Sequence, residues 1–178
     1  MKKLFVLATL VFSAAGLQAE ESHVFQASLT PDIAIYPKTA EIHGLSLNIW
    51  GQNPQKGVAI GIVNGSSSDS SGFTYGLVNY ADTYTGVSWG LVNVCQTSFV
   101  GWQYGWVNVT KGDFTGFQAG WIFNYSHKMK GLQLGLVNYS ENLHGVQIGL
   151  ANIAMNNGWF DDFPDKLATG FPIANWSF

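Results

Sequence analysis

Eight times between Gly44 and Ala154 the chain repeats one short phrase. The units start at Gly44, Gly57, Gly72, Gly86, Gly101, Gly116, Gly131 and Gly145, so successive starts lie 13, 15, 14, 15, 15, 15 and 14 residues apart. The clearest pair is Gly131-Leu132-Gln133-Leu134-Gly135-Leu136-Val137-Asn138 and Gly145-Val146-Gln147-Ile148-Gly149-Leu150-Ala151-Asn152. Self-similarity at a fixed short period means that each unit is one structural element resting on its neighbours, since no single unit can bury a core alone.

The columns of the repeat describe that element. Positions 2, 4 and 6 are apolar almost throughout, as in Phe73/Tyr75/Leu77, Val87/Trp89/Leu91 and Trp102/Tyr104/Trp106. Position 3 is Ser46, Ala59, Thr74, Ser88, Gln103, Gln118, Gln133 and Gln147; position 5 is Asn48 and then glycine in every later unit. Alternation with period 2 predicts a β-strand with two chemically different faces. The expectation is that the apolar triplet points inward. The Ser/Thr/Gln and glycine columns then form a flat outer surface, with Ser88, Gln103, Gln118, Gln133 and Gln147 as the candidate interaction face. Asparagine closes six octads (Asn64, Asn79, Asn93, Asn108, Asn138, Asn152) and follows one place later in a seventh, at Asn124. It suits a strand end, and identical stacked asparagines can bond one another in a ladder. Two places after it comes a small residue, Cys95 in the unit that begins at Gly86. That series gives Cys95 a structural role, and a single cysteine has no intrachain disulfide partner.

Two architectures use short strands at even spacing. A β-solenoid of about eight 14–15-residue coils stacks them in parallel, and a small up-and-down outer-membrane β-barrel pairs them antiparallel. A one-strand period favours the stack, because a meander repeats by hairpins. The apolar band also favours it: positions 2 to 6 span about 14 Å at ~3.4 Å per residue, short of the ~25 Å that a membrane barrel presents. The aromatic-x-Phe ending, Trp176-Ser177-Phe178, keeps the barrel open, because it is similar to the assembly signal of such barrels; its other reading is a hydrophobic cap.

The remaining segments complete the organisation. Lys2 and Lys3, the apolar run Leu4 to Gly16 and Leu17-Gln18-Ala19 have the form of a signal peptide over 1–19. Residues 20–43 are expected as an N-terminal cap, 44–154 as the repeats and 155–178 as a C-terminal cap. Beyond Lys2 and Lys3 there are six lysines, no arginine and 11 acids, and 11% of residues are charged against 15% aromatic. Such a chain is a poor candidate for nucleic acid.

The octads resemble those of the bacterial "surface repeat" family, proteins of tandem G-(V/L)-Q-(I/L)-G-(L/I)-(V/I)-N units. The likeness extends to the ending Pro172-Ile173-Ala174-Asn175-Trp176-Ser177-Phe178. The first unit departs from the pattern, with Asn48 for glycine and Gly51 for asparagine, and the sixth places Phe123 before Asn124. The resemblance implies an exported protein at the cell surface, outer membrane or periplasm of a Gram-negative bacterium, and brings no catalytic residues with it.

Signals of chemistry are weak. His23, His43, His127 and His144 lack metal-ligand spacing, and Asp161, Asp162 and Asp165 lack the regular oxygen spacing of a calcium loop. Runs such as "GWQYG" come from the repeat, and so do most of the N-x-(S/T) triplets. No catalytic, cofactor-binding or metal residue is expected. The expected function is that of a non-enzymatic scaffold or binding surface whose partner is a protein, a glycan or the outer membrane. A secreted enzyme with its site near 155–178 is the more distant alternative.

Overall fold

The computed structural model describes residues 22–178, so the leader expected over 1–19 lies outside the described residues. The described chain is all-β: β1 (Ser22–Thr30), β2 (Ile33–Ala34), β3 (Glu41–Asn53), β4 (Lys56–Ala154) and β5 (Gly170–Ser177), with no helix among the described residues. They form one open sheet in the order β2-β1-β3-β4-β5.

Pairing is parallel where the stack begins. Leu45 lies opposite Val58, Ser46 opposite Ala59 and Leu47 opposite Ile60, so each column of the first unit sits on the same column of the second. Through β4 the contacts keep that offset. Asn64 bonds Asn79, Gln118 bonds Gln133, and Phe99 stacks on Phe114, each pair 15 residues apart. In an antiparallel meander the sequence separation of paired residues would change steadily along the strand; here it is constant from column to column. The up-and-down barrel is therefore overturned, because its neighbours would be antiparallel and its sheet closed.

The unit's first glycine combines a positive φ with a close approach of neighbouring layers. Gly86 has φ +140°, and a Cβ built there would lie 2.0 Å from the carbonyl oxygen of Gly72. Six further unit-opening glycines, from Gly57 to Gly145, also have φ between 120° and 146°, a region that residues with a Cβ rarely occupy.

The faces are inverted relative to the sequence expectation. Gln103, Gln118, Gln133 and Gln147 are 0–1% exposed, and Ser88 is buried. The apolar residues at positions 4 and 6 point outward. Inside, each unit contributes two kinds of material. One is an amide layer from the glutamine and asparagine columns. The other is a strip of Tyr84, Phe99, Phe114, Met129 and Leu143, packed with small residues such as Ala81, Cys95 and Ala154.

Amides can be buried here because the stack satisfies them. Asn108 donates from Nδ2 to Asn124 Oδ1 (2.9 Å) and to the Ala119 carbonyl (2.8 Å), and accepts from Asn93 Nδ2 (2.8 Å). The asparagine ladder runs this way from Asn48 to Asn152. The glutamine ladder donates in the opposite sense: Gln118 to Gln103 at 2.9 Å, Gln133 to Gln118 at 2.7 Å and Gln147 to Gln133 at 2.8 Å. Any such ladder leaves one carbonyl oxygen over on its first donor, which accepts from no earlier rung, and Asn48 Oδ1 and Gln147 Oε1 are buried without a partner there. Burial of an amide is cheap only when both its donor and its acceptor are used.

The ends differ. β1 pairs parallel with β3, setting Phe25 opposite Leu45 and Gln26 opposite Ser46. The segment expected as an N-terminal cap thus contributes a further layer, with buried Gln26 in the position-3 column. At the other end β5 runs antiparallel over the last unit, with Asn175 opposite Gln147 and Trp176 opposite Val146. Asn175 Nδ2 donates to the carbonyls of Ala168 (2.8 Å) and Asn152 (3.3 Å). Trp176 and Ser177 of the aromatic-x-Phe ending thus belong to a strand laid across the final layer, and Phe178 follows just beyond it.

Candidate interaction face

Because the amides turn inward, the surface that remains available is the apolar one. Position 4 supplies one ridge, with Tyr75, Trp89 and Tyr104; position 6 supplies a second, with Leu77, Leu91, Trp106 and Trp121. Between them runs a groove of about 420 Å³ floored by Gly61, Gly76, Gly90 and Gly105. Those glycines are small for an internal reason. A Cβ on Gly76 would lie 2.5 Å from Asn64 Nδ2, and one on Gly90 would lie 2.5 Å from Asn79 Nδ2. The asparagine ladder inside thus fixes the glycine column that shapes the groove outside.

The aromatic rings are locked edge to face. Tyr75 and Trp89 have centroids 6.1 Å apart at 78°, and Trp89 and Tyr104 lie 5.3 Å apart at 76°. Trp121 Nε1 donates to Tyr104 Oη at 2.9 Å, bridging the ridges where position 4 shrinks to Ala119. An aromatic side chain offers about 150–250 Å². Tyr75, Trp89, Trp102, Trp106 and Trp121 are 46–66% exposed. They alone present about 400–650 Å², as much as the largest apolar patch on a typical monomer. No charged residue lines the groove.

The predicted interaction face, Ser88, Gln103, Gln118, Gln133 and Gln147, is brought together, but as an internal column. Ser88 Oγ donates to Asn93 Oδ1 at 2.7 Å and the glutamines bond one another. None of the five offers its side chain to a partner. The physical reason is close layer spacing. Beside the asparagine ladder the inner face has room for amides that bond along the stack and for glycine, since a Cβ on Gly76 or Gly90 already meets an asparagine Nδ2 at 2.5 Å; the alternate positions 4 and 6 then point outside. The available clue was the glycine column. Glycine within a strand marks a close backbone approach, so the face bearing it is the packed one.

The polar residues of the turns make separate, small clusters. Glu141 accepts a bond from Tyr125 Oη at 2.6 Å and sits 2.8 Å from His127 Nδ1. The tyrosine bond and then the histidine hold its carboxyl below the usual range, and the same bond pushes the Tyr125 phenol up to about 12. Glu41 is held low by Lys56 and then His43. Cys95 is buried, with Sγ 3.1 Å from the Ser98 carbonyl, and burial pushes its thiol up, away from the reactive thiolate. Asp162 lies 3.4 Å from Lys166. Among the described residues no group of three or more His, Cys, Asp or Glu is placed to hold a metal ion.

Comparison of the chain with protein-family models, curated proteins and solved structures finds no match.

Proposed function

We propose that this chain is a non-enzymatic repeat scaffold of the bacterial cell envelope, a β-solenoid that works by presenting its outward apolar face to a protein partner. The observation that carries this reading is the position of the aromatic residues: they stand on a rigid sheet, uncharged and exposed, where a soluble surface would ordinarily carry polar groups. The resemblance to surface-repeat proteins and the leader-like N-terminus support the location. A protein partner fits this face better than a glycan. Adjacent rings cross at 76–78° instead of offering coplanar platforms, and charged groups to grip hydroxyls are missing from the groove.

The test is made in cells. The chain is expressed with its leader in a Gram-negative host, and intact cells are treated with protease and fractionated. The reading expects the protein in the envelope or medium, and retention that changes when Trp89 and Trp121 are both replaced by serine while the fold is kept. A cytosolic protein, or retention indifferent to both substitutions, contradicts it.

A further inference from the structure

We propose that the partner of the apolar face is a second copy of this chain, packed sheet to sheet across a two-fold axis that runs along the stack. The proposal rests on the reading of that face as the working surface and adds its occupant.

Area is the first support. A standard-size interface buries about 800 Å² per partner. The five exposed aromatic side chains supply about 400–650 Å², and the flanking Ile60, Leu77, Leu91 and Leu136, each 41–52% exposed, bring the face to about what one side of a stable dimer needs.

Shape is the second. Two copies of one sheet share the same twist, so their faces can pack at the ~10 Å separation of a β-sandwich. A two-fold axis along the stack, displaced by half a residue from the position-4 ridge toward the groove, lays that ridge of each copy in the groove of the other. The contact is isologous and closes at two subunits.

Charge is the third, and it separates a second copy from a lipid surface. Peripheral attachment to anionic bilayers draws on lysine and arginine beside the apolar face. This chain has no arginine and a formal net charge of −3, and of its lysines Lys56 is paired with Glu41 and Lys128 lies 3.5 Å from Asp113. Against its own copy the uncharged face desolvates no ion.

The experiment is sedimentation equilibrium of the leader-free chain over the micromolar range, with tryptophan emission followed on dilution. The wild type is expected at twice the monomer mass, with a red shift as it dissociates. Trp106→Glu sets a carboxylate in the centre of both faces and should weaken association at least 100-fold, while its circular dichroism and urea midpoint stay close to wild type. Trp106→Phe should still dimerise, as should Thr97→Glu in a polar turn. A wild type that is monomeric throughout overturns the proposal, and so does a Trp106→Glu chain that associates like wild type. A monomer whose emission shifts on adding phosphatidylcholine vesicles would also overturn it and place lipid on the face. The cell-retention test bears on the functional reading separately.

Discussion

Replacing Asn108 by alanine removes one rung from the middle of the asparagine ladder. Three hydrogen bonds disappear: the one accepted from Asn93 and those donated to Asn124 and the Ala119 carbonyl, all 2.8–2.9 Å long. At about 0.5–1.5 kcal/mol net for each, the loss is about 1.5–4.5 kcal/mol. For a chain of this size 1 kcal/mol moves the melting temperature by about 2–4 °C, so a drop of about 3–18 °C is expected in thermal unfolding followed by circular dichroism. Asn108→Asp is the sharper variant. It keeps the shape but turns a carboxylate oxygen toward Ala119 O and Asn124 Oδ1, two acceptors, so at pH 7 it should destabilise more than alanine does. Burial and those acceptors raise the folded-state pKa of the new carboxyl above its unfolded value of about 3.9. The folded state then holds a proton that the unfolded state has lost. Relative to wild type the variant should be most stable near pH 3–4 and lose stability as pH rises through the raised pKa. A cost within about 0.5 kcal/mol for Asn108→Ala, the usual range for surface changes, would refute a buried ladder, as would an effect of Asn108→Asp that is indifferent to pH.

Other perturbations probe the remaining columns. Gly86→Ala drives a Cβ into the Gly72 carbonyl at φ +140° and should cost more than about 3 kcal/mol or prevent folding; Gly170→Ala, with nothing within 4 Å, should leave the urea midpoint within about 0.5 kcal/mol of wild type. Phe99 is stacked between Tyr84 and Phe114 at 5.6 and 5.4 Å, so Phe99→Ala should cost about 3–5 kcal/mol in urea unfolding, far more than Trp121→Ala on the outer face. In an absorbance titration at 295 nm the Tyr125 phenol should ionise near 12, and Glu141→Gln should lower that value by removing the charged acceptor. Because its folded pKa is raised, the stability linked to Tyr125 is present below about 10, the ordinary value, and is lost as pH climbs through about 12. The depressed Glu141 carboxyl acts in the opposite range, and its contribution is lost as pH falls into acid.

The repeat made strand content and unit length readable, because period-2 alternation and a one-strand period both survive folding unchanged. The direction of the faces did not follow from them. Alternation separates Leu132/Leu134/Leu136 from Gln133/Gly135 but does not say which set is enclosed, and the hydrophobic effect alone favours the leucines. In-register stacking reverses the preference, since Gln133 becomes both donor and acceptor along the stack while Gly135 makes room beside Asn124 and Asn138. The residues just before each unit, Phe99 and Phe114 among them, were visible as a column, yet only their ring stacking identifies them as the apolar core. The layer formed by β1 was hidden because Val24 stands where later units have glycine. The aromatic groove was legible residue by residue and misassigned to the interior.

The fold depends most on amides being enclosed and stacked in register. The direct measurement is side-chain amide NMR of the leader-free chain, with assigned Asn Nδ2 protons. Slow exchange with solvent and cross-peaks linking Asn79 to Asn93, Asn93 to Asn108 and Asn108 to Asn124 are the expected result. Rapidly exchanging side-chain amides without cross-peaks between units would contradict it, and would return the apolar columns to the interior.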